Sequence, residues 1–180
     1  MSAEPVPEFS RPVRADQIDR AAEVTTIGAN AAERAALAKR FGLIALDRLE
    51  ADYSLTREGD GVLARGRMRA TLAQPCVATA APVPETIATD FTLRFVSDRA
   101  TAAEGEEIEL DVEDYDIIGY DGLSLDMGEA VAETMALAME PYPRAPDADT
   151  VLRAAGVLTE EQASPFAALL ALKDGTPPKG

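Results

Sequence analysis

The stretch Leu49-Glu50-Ala51-Asp52-Tyr53-Ser54-Leu55-Thr56-Arg57-Glu58-Gly59-Asp60-Gly61-Val62-Leu63-Ala64-Arg65-Gly66-Arg67-Met68-Arg69-Ala70-Thr71-Leu72 decides the fold. Leu49, Ala51, Tyr53 and Leu55 alternate with Glu50, Asp52, Ser54 and Thr56, the period of two required of a strand with one wet face. Glu58-Gly59-Asp60-Gly61 is turn chemistry. The chain then resumes as a long strand from Val62 to Leu72, which makes the two halves a hairpin. Further on, Ile87, Thr89, Phe91, Leu93 and Phe95 alternate again and supply an aromatic inner face; Ile108, Leu110 and Val112 predict a fourth, shorter strand.

Helical signals flank this sheet. Asn30 is placed to cap a helix, Glu33 completes a box-like N-x-x-E arrangement, Leu37 and Phe41 fall one turn apart, and Gly42 supplies a stop. A second helix is predicted from Ser124 or Asp126 to Met139, with Met127, Val131, Met135 and Ala138 on one stripe and Glu129, Glu133 and Glu140 outside it. Pro141 and Pro143 prevent its continuation. A short helix is expected near Val151–Ala155, and another where Pro165 opens an apolar face of Phe166, Leu169 and Leu170. Before the first helix, Phe9–Arg14 suits an edge strand. The predicted class is α+β: a mainly antiparallel sheet of four to six strands, with curling toward a barrel left open, two main helices and a short C-terminal helix.

A length of 180 residues with 47% apolar content suits one domain over 1–180 with a real core, residues 1–8 and 174–180 being expected to be flexible. With no His and Cys76 as the single Cys, an internal disulfide framework, a His- or Cys-built metal site and a His-based triad are excluded. Residues Met1–Phe9 lack a basic region followed by an apolar one, and no apolar run approaches the ~18 residues of a membrane span. A cytoplasmic protein without a cofactor is expected.

Charge is segregated. Residues 1–100 carry 13 Lys/Arg against 14 Asp/Glu, whereas residues 101–180 carry 4 against 18, a net of −1 followed by −14. A field of one sign attracts basic partners and repels phosphate backbones, so basic protein is favoured over bare nucleic acid. Glu107, Glu109, Asp111 and Glu113 alternate within a run, Glu104 to Asp116, of eight acidic residues and no basic one. With Glu129 and Glu133 they form the expected partner-binding surface, set against the plainer reading of a solvated face. On the other side, Arg65, Arg67 and Arg69 form a row roughly 6.6 to 6.8 Å apart. They suit phosphate contact with RNA, or cross-strand pairing with the acidic row at 107–113, which is preferred.

Cys76 reads as a small buried hydrophobe rather than a nucleophile. GxSxG, P-loop and dinucleotide fingerprints are missing. A hydrolase built on paired carboxylates is the alternative from another class, recognisable by a deep pocket with raised pKa values.

Four segments in order, Thr71-Leu72-Ala73-Gln74-Pro75-Cys76-x-x-Thr79-x-x-Pro82-Val83, Phe91-x-Leu93-x-Phe95, Leu123-Ser124-Leu125 leading through Glu129 to Pro141-Tyr142-Pro143-Arg144, and Pro165-Phe166-Ala167-x-Leu169-x-x-Leu172-Lys173, resemble the YceD family, named for large ribosomal RNA subunit accumulation. The resemblance covers roughly residues 60 to 175. It implies a non-catalytic role in ribosome biogenesis that supports accumulation of large-subunit (23S) ribosomal RNA, in a family whose genes often neighbour that of ribosomal protein L32. A basic ribosomal protein, L32 among them, or a large-subunit precursor is the expected partner. Pro165, Phe166, Leu169 and Leu170 would then be a docking element. Many members carry a C-x-x-C pair; here Cys76 is followed by Thr79, which cannot close a tetrahedral zinc shell. Thr79 is expected instead to satisfy a turn backbone group.

Overall fold

The computed structural model of the chain describes residues 7–18, 23–59, 61–97 and 116–157. The strands are β1 (Pro12–Arg14), β2 (Val24–Gly28), β3 (Ala45–Glu58), β4 (Gly61–Pro75), β5 (Pro82–Ser97), β6 (Asp116–Tyr120) and β7 (Ser124–Asp126). The helices are α1 (Ala31–Arg40), α2 (Met127–Ala138) and α3 (Ala148–Ala154), with a short 3-10 turn at Ala15–Gln17.

The hairpin forms as its alternation requires, β3 against β4 from Glu58↔Gly61 to Ala45↔Ala73, with a register shift between Leu46 and Arg48. Its inward residues Leu49, Ala51, Tyr53, Met68, Ala70 and Leu72 are buried. Glycine is obligatory at Gly66: a Cβ there would meet the Asp52 carbonyl oxygen at 2.5 Å, the Phe91 ring at 2.6 Å and the Tyr53 Cβ at 2.8 Å. The sheet order is β2-β3-β4-β5-β6. Three pairings are antiparallel, and β6 joins β5 in parallel through Leu93↔Asp116 to Ser97↔Tyr120. The five-stranded sheet is thus mainly antiparallel, as expected, and is made mixed by that one parallel pairing. Among the described residues β2 and β6 are its outermost strands, and they do not close into a barrel.

The strand near Phe9–Arg14 is real but sits elsewhere. β1 pairs β7 in a separate two-stranded sheet, because Asp126 draws it there: its carboxylate accepts the Arg11 N–H at 2.7 Å and the Ser10 hydroxyl at 2.5 Å. The same carboxylate caps α2 by accepting the N–H groups of Gly128 and Glu129. α2 lays Met127, Val131 and Met135 onto the sheet's inner face, all fully buried beside Leu72, Phe91 and Phe95. α1 has the expected capping box between Asn30 and Glu33 and buries Leu37. The predicted strand at Ile108–Val112 and the helix opened by Pro165 lie outside the described residues.

Candidate partner-binding surface

The arginine row occupies the solvent face of β4, one step out of phase with the buried Ala64, Met68 and Ala70. Register places Asp52 and Asp90 on either side of Arg67, and Glu50 beside Arg69. Arg69 Nη1 donates to Asp52 Oδ2 at 2.8 Å and stands 3.7 Å from Glu50 Oε1; Arg67 lies 3.6 Å from Asp90. The internal pairing expected of this row thus exists in kind. Among the described residues it comes from β3 and β5, while Glu107, Glu109, Asp111 and Glu113 lie outside them. Glu50 is held below the usual carboxylate range by the Arg48 guanidinium, and Asp52 by that of Arg69 and then the Thr26 hydroxyl. Arg65, flanked by Ser54 and Thr92, is exposed and has no ion pair among the described residues.

The two acidic residues singled out on α2 have different surroundings. Glu129 is clasped by Arg40 of α1 through two bonds of 2.6 and 2.9 Å, and the same guanidinium reaches Glu8 at 3.0 Å. That charge is answered within the chain and ties α1 to α2. Glu133, one turn on, is exposed with no ion pair among the described residues, as is Asp116 at the start of β6.

The turn that carries Cys76 closes β4 onto β5. The Cys76 N–H donates to Ala81 O at 2.8 Å and the Ala80 N–H to Cys76 O at 2.9 Å. Thr79 Oγ1 accepts the Ala81 N–H at 3.4 Å, the backbone role expected of it. Cys76 is buried; its Sγ accepts the Ala145 N–H at 3.3 Å, which together with the Thr79 hydroxyl lowers the thiol to about 7. The Val77 N–H donates to Pro143 O at 2.9 Å. Next to it, the buried Gln74 amide donates to Glu140 O at 3.0 Å and to Glu85 Oε2 at 2.9 Å, and Glu85 Oε1 accepts the Glu140 N–H. Two of the segments compared above are thereby drawn together at one end of the sheet. The sequence hinted at Cys76 and Thr79; Gln74 and Glu85 were missed, because their partners are backbone groups 55 to 66 positions away.

Two grooves matter for a partner. One of about 500 Å³ between α1 and β3 is rimmed by Arg34 and Lys39. Another, of about 300 Å³, runs between β5 and α2 and carries Asp90 and Asp116. Among the described residues no group of three His, Cys, Asp or Glu side chains is placed to hold a metal ion, and no helix is long and apolar enough to cross a membrane. Pro165, Phe166, Leu169 and Leu170 lie outside the described residues.

A mixed sheet covered by helices, with Glu133 and Asp116 exposed beside it, defines an α+β protein. The family model "Large ribosomal RNA subunit accumulation protein YceD" matches residues 64–173, more than half of the 180-residue chain. The chain belongs to the YceD family, which places it in ribosome biogenesis and in the accumulation of large-subunit ribosomal RNA. Comparison with the curated proteins and with the solved structures finds no match.

Proposed function

We propose that this protein supports large-subunit ribosomal RNA accumulation in the cytoplasm without catalysis, by binding a basic ribosomal protein or an assembly intermediate. Ribosomal protein L32 is the first candidate. The observation that carries this reading is segregated charge: the sequence has a net of −14 in residues 101–180, and of these Glu133 and Asp116 are exposed and unpaired among the described residues. Glu107, Glu109, Asp111 and Glu113 join this surface on their sequence alone, and Glu129 contributes through its anchoring by Arg40. Pro165, Phe166, Leu169 and Leu170 serve as the second docking element, again on sequence.

A carboxylate hydrolase has little support. Every displaced carboxyl group among the described residues is lowered, not raised: Asp16 by Arg14, Glu33 by Arg11, Glu50 by Arg48, Asp52 by Arg69, and Glu8 by a backbone N–H and then Arg40. A catalytic acid would need the opposite shift. Direct RNA contact keeps one observation in its favour, Arg65, which has no ion pair among the described residues.

Complementation separates the readings. In a strain lacking this protein, the variant with Glu107, Glu109, Glu113 and Glu133 changed to Gln and Asp111 to Asn should fold yet fail to restore large-subunit ribosomal RNA. The Arg65→Gln, Arg67→Gln, Arg69→Gln variant should restore it. The reverse pattern would favour RNA contact, and full function of both would remove the charge reading.

A further inference from the structure

Strand β6 runs beside β5 in parallel, which sets Ile118 opposite Phe95. The chain then returns as β7 to Leu125 and to Asp126, the cap of α2. Within two turns α2 brings Glu129, Ala130 and Glu133 to the same place. Between these elements lies a pocket of about 250 Å³. That volume is below the roughly 300 to 1,000 Å³ of small-molecule sites and suits one long side chain.

Much of the lining is apolar. Phe95, Leu125 and Ala130 are buried, and Ile118 and Tyr120 are partly buried against the same core. Three carboxylates complete the lining, and the chain has committed two of them. Asp126 accepts the Ser10 hydroxyl and the N–H groups of Arg11, Gly128 and Glu129. Both oxygens of Glu129 are held by Arg40, whose guanidinium is shared with Glu8 and so has no positive charge to spare for the pocket. Glu133, one turn beyond Glu129 on the same helix face, is exposed with no ion pair among the described residues.

We propose that this pocket receives one arginine or lysine side chain of a basic partner protein, its stem against the apolar lining and its charged head on Glu133, which deepens the basic-partner reading above and rests on it. Long cationic side chains meet both needs at once, because they bury methylenes while the head stays in water. An uncharged apolar side chain would leave the Glu133 carboxylate without a counter-ion and partly desolvated. A phosphate is repelled by that carboxylate, and a second copy of a chain of net charge −15 is repelled as a whole.

The test is calorimetric titration of the full chain with end-blocked penta-arginine and with its homologue built from 2-amino-3-guanidinopropionic acid. The two peptides carry equal charge and differ only in the length of the stem, so the comparison needs no change to the protein. Penta-arginine should bind at least about threefold more tightly than the short-stemmed form. Glu133→Gln should weaken penta-arginine binding by about threefold or more, whereas Asp116→Asn, the same charge change outside the pocket, should weaken it by less than about 1.5-fold. Methyl resonances of Ile118, Leu125 and Ala130 should shift as the peptide is added. Equal affinity of the two peptides, equal losses in the two variants, or unmoved methyl resonances would overturn the pocket while leaving a basic partner held by diffuse charge. Absence of any peptide binding would also overturn the proposal; failure of the complementation experiment would strike the underlying reading instead.

Discussion

The two flanks of strand β4 and strand β5 differ in how completely the chain answers its own groups. Around β4, both ladders are filled and most charge is cancelled at home: Arg69 by Asp52 and Glu50, Arg67 by Asp90. Beyond β5, the Asp116 and Glu133 carboxylates have no ion pair among the described residues and the Leu137 side chain is exposed. A row of arginines is conspicuous in a sequence, yet two of its three members already have acidic neighbours in the adjacent strands. Uncommitted groups are less conspicuous and are where a partner gains most, since nothing has to be broken before it binds.

The sharpest way to break the comparison is to disturb the filled side. Gly66→Val forces side-chain atoms into the Asp52 carbonyl and the Phe91 ring, and should destabilise by about 3 kcal/mol in urea unfolding. Gln74→Ala leaves the Glu140 carbonyl and Glu85 without their amide donor; a loss of about 2 kcal/mol is expected from the same measurement.

Cys76 offers a pH test of the same end. Its folded thiol lies at about 7, below the ordinary value of 9.0, so the thiolate is favoured in the folded chain. The resulting stability is present above the unfolded thiol's pKa and is lost as pH falls through about 7. Ultraviolet titration of the thiolate should give a midpoint near 7, and Cys76→Ser should flatten the rise of stability between these values. A midpoint at or above the free-thiol value would contradict the Ala145 and Thr79 contacts.

The smallest effects sharpen the contrast between neighbours in one row. Arg69→Gln should lower stability by about 0.5 to 1 kcal/mol at low salt and less at high salt, because the pair is partly exposed. Arg65→Gln, which breaks no ion pair among the described residues, should stay within about 0.5 kcal/mol of the parent.

Much of this was legible in the residues. Alternation from Leu49 to Leu72 and the cap at Asn30 are local signals; the hairpin lies where they put it, with arms that run on to Ala45 and Pro75, and α1 and α2 fall within a few residues of their expected bounds. What stayed hidden depends on partners distant in the chain. β6, Asp116–Tyr120, is short, lacks clear alternation and joins in parallel, a pairing no turn signal announces. β1 looked like an edge strand of the main sheet; its true neighbour β7 lies more than a hundred positions away. The arginine row was expected to find acids at 107–113, while Glu50 and Asp52 stood in the adjacent hairpin arm and were taken only as its wet face.

The central claim is that unanswered negative charge on this chain holds a basic partner in ribosome biogenesis. Titration of the full chain against purified large-subunit ribosomal proteins, L32 first, at increasing salt tests it most directly. The account predicts that at least one binds and that its affinity falls at least about tenfold as ionic strength rises from low to physiological values and beyond. Binding by none of them, or a complex indifferent to salt, would contradict it.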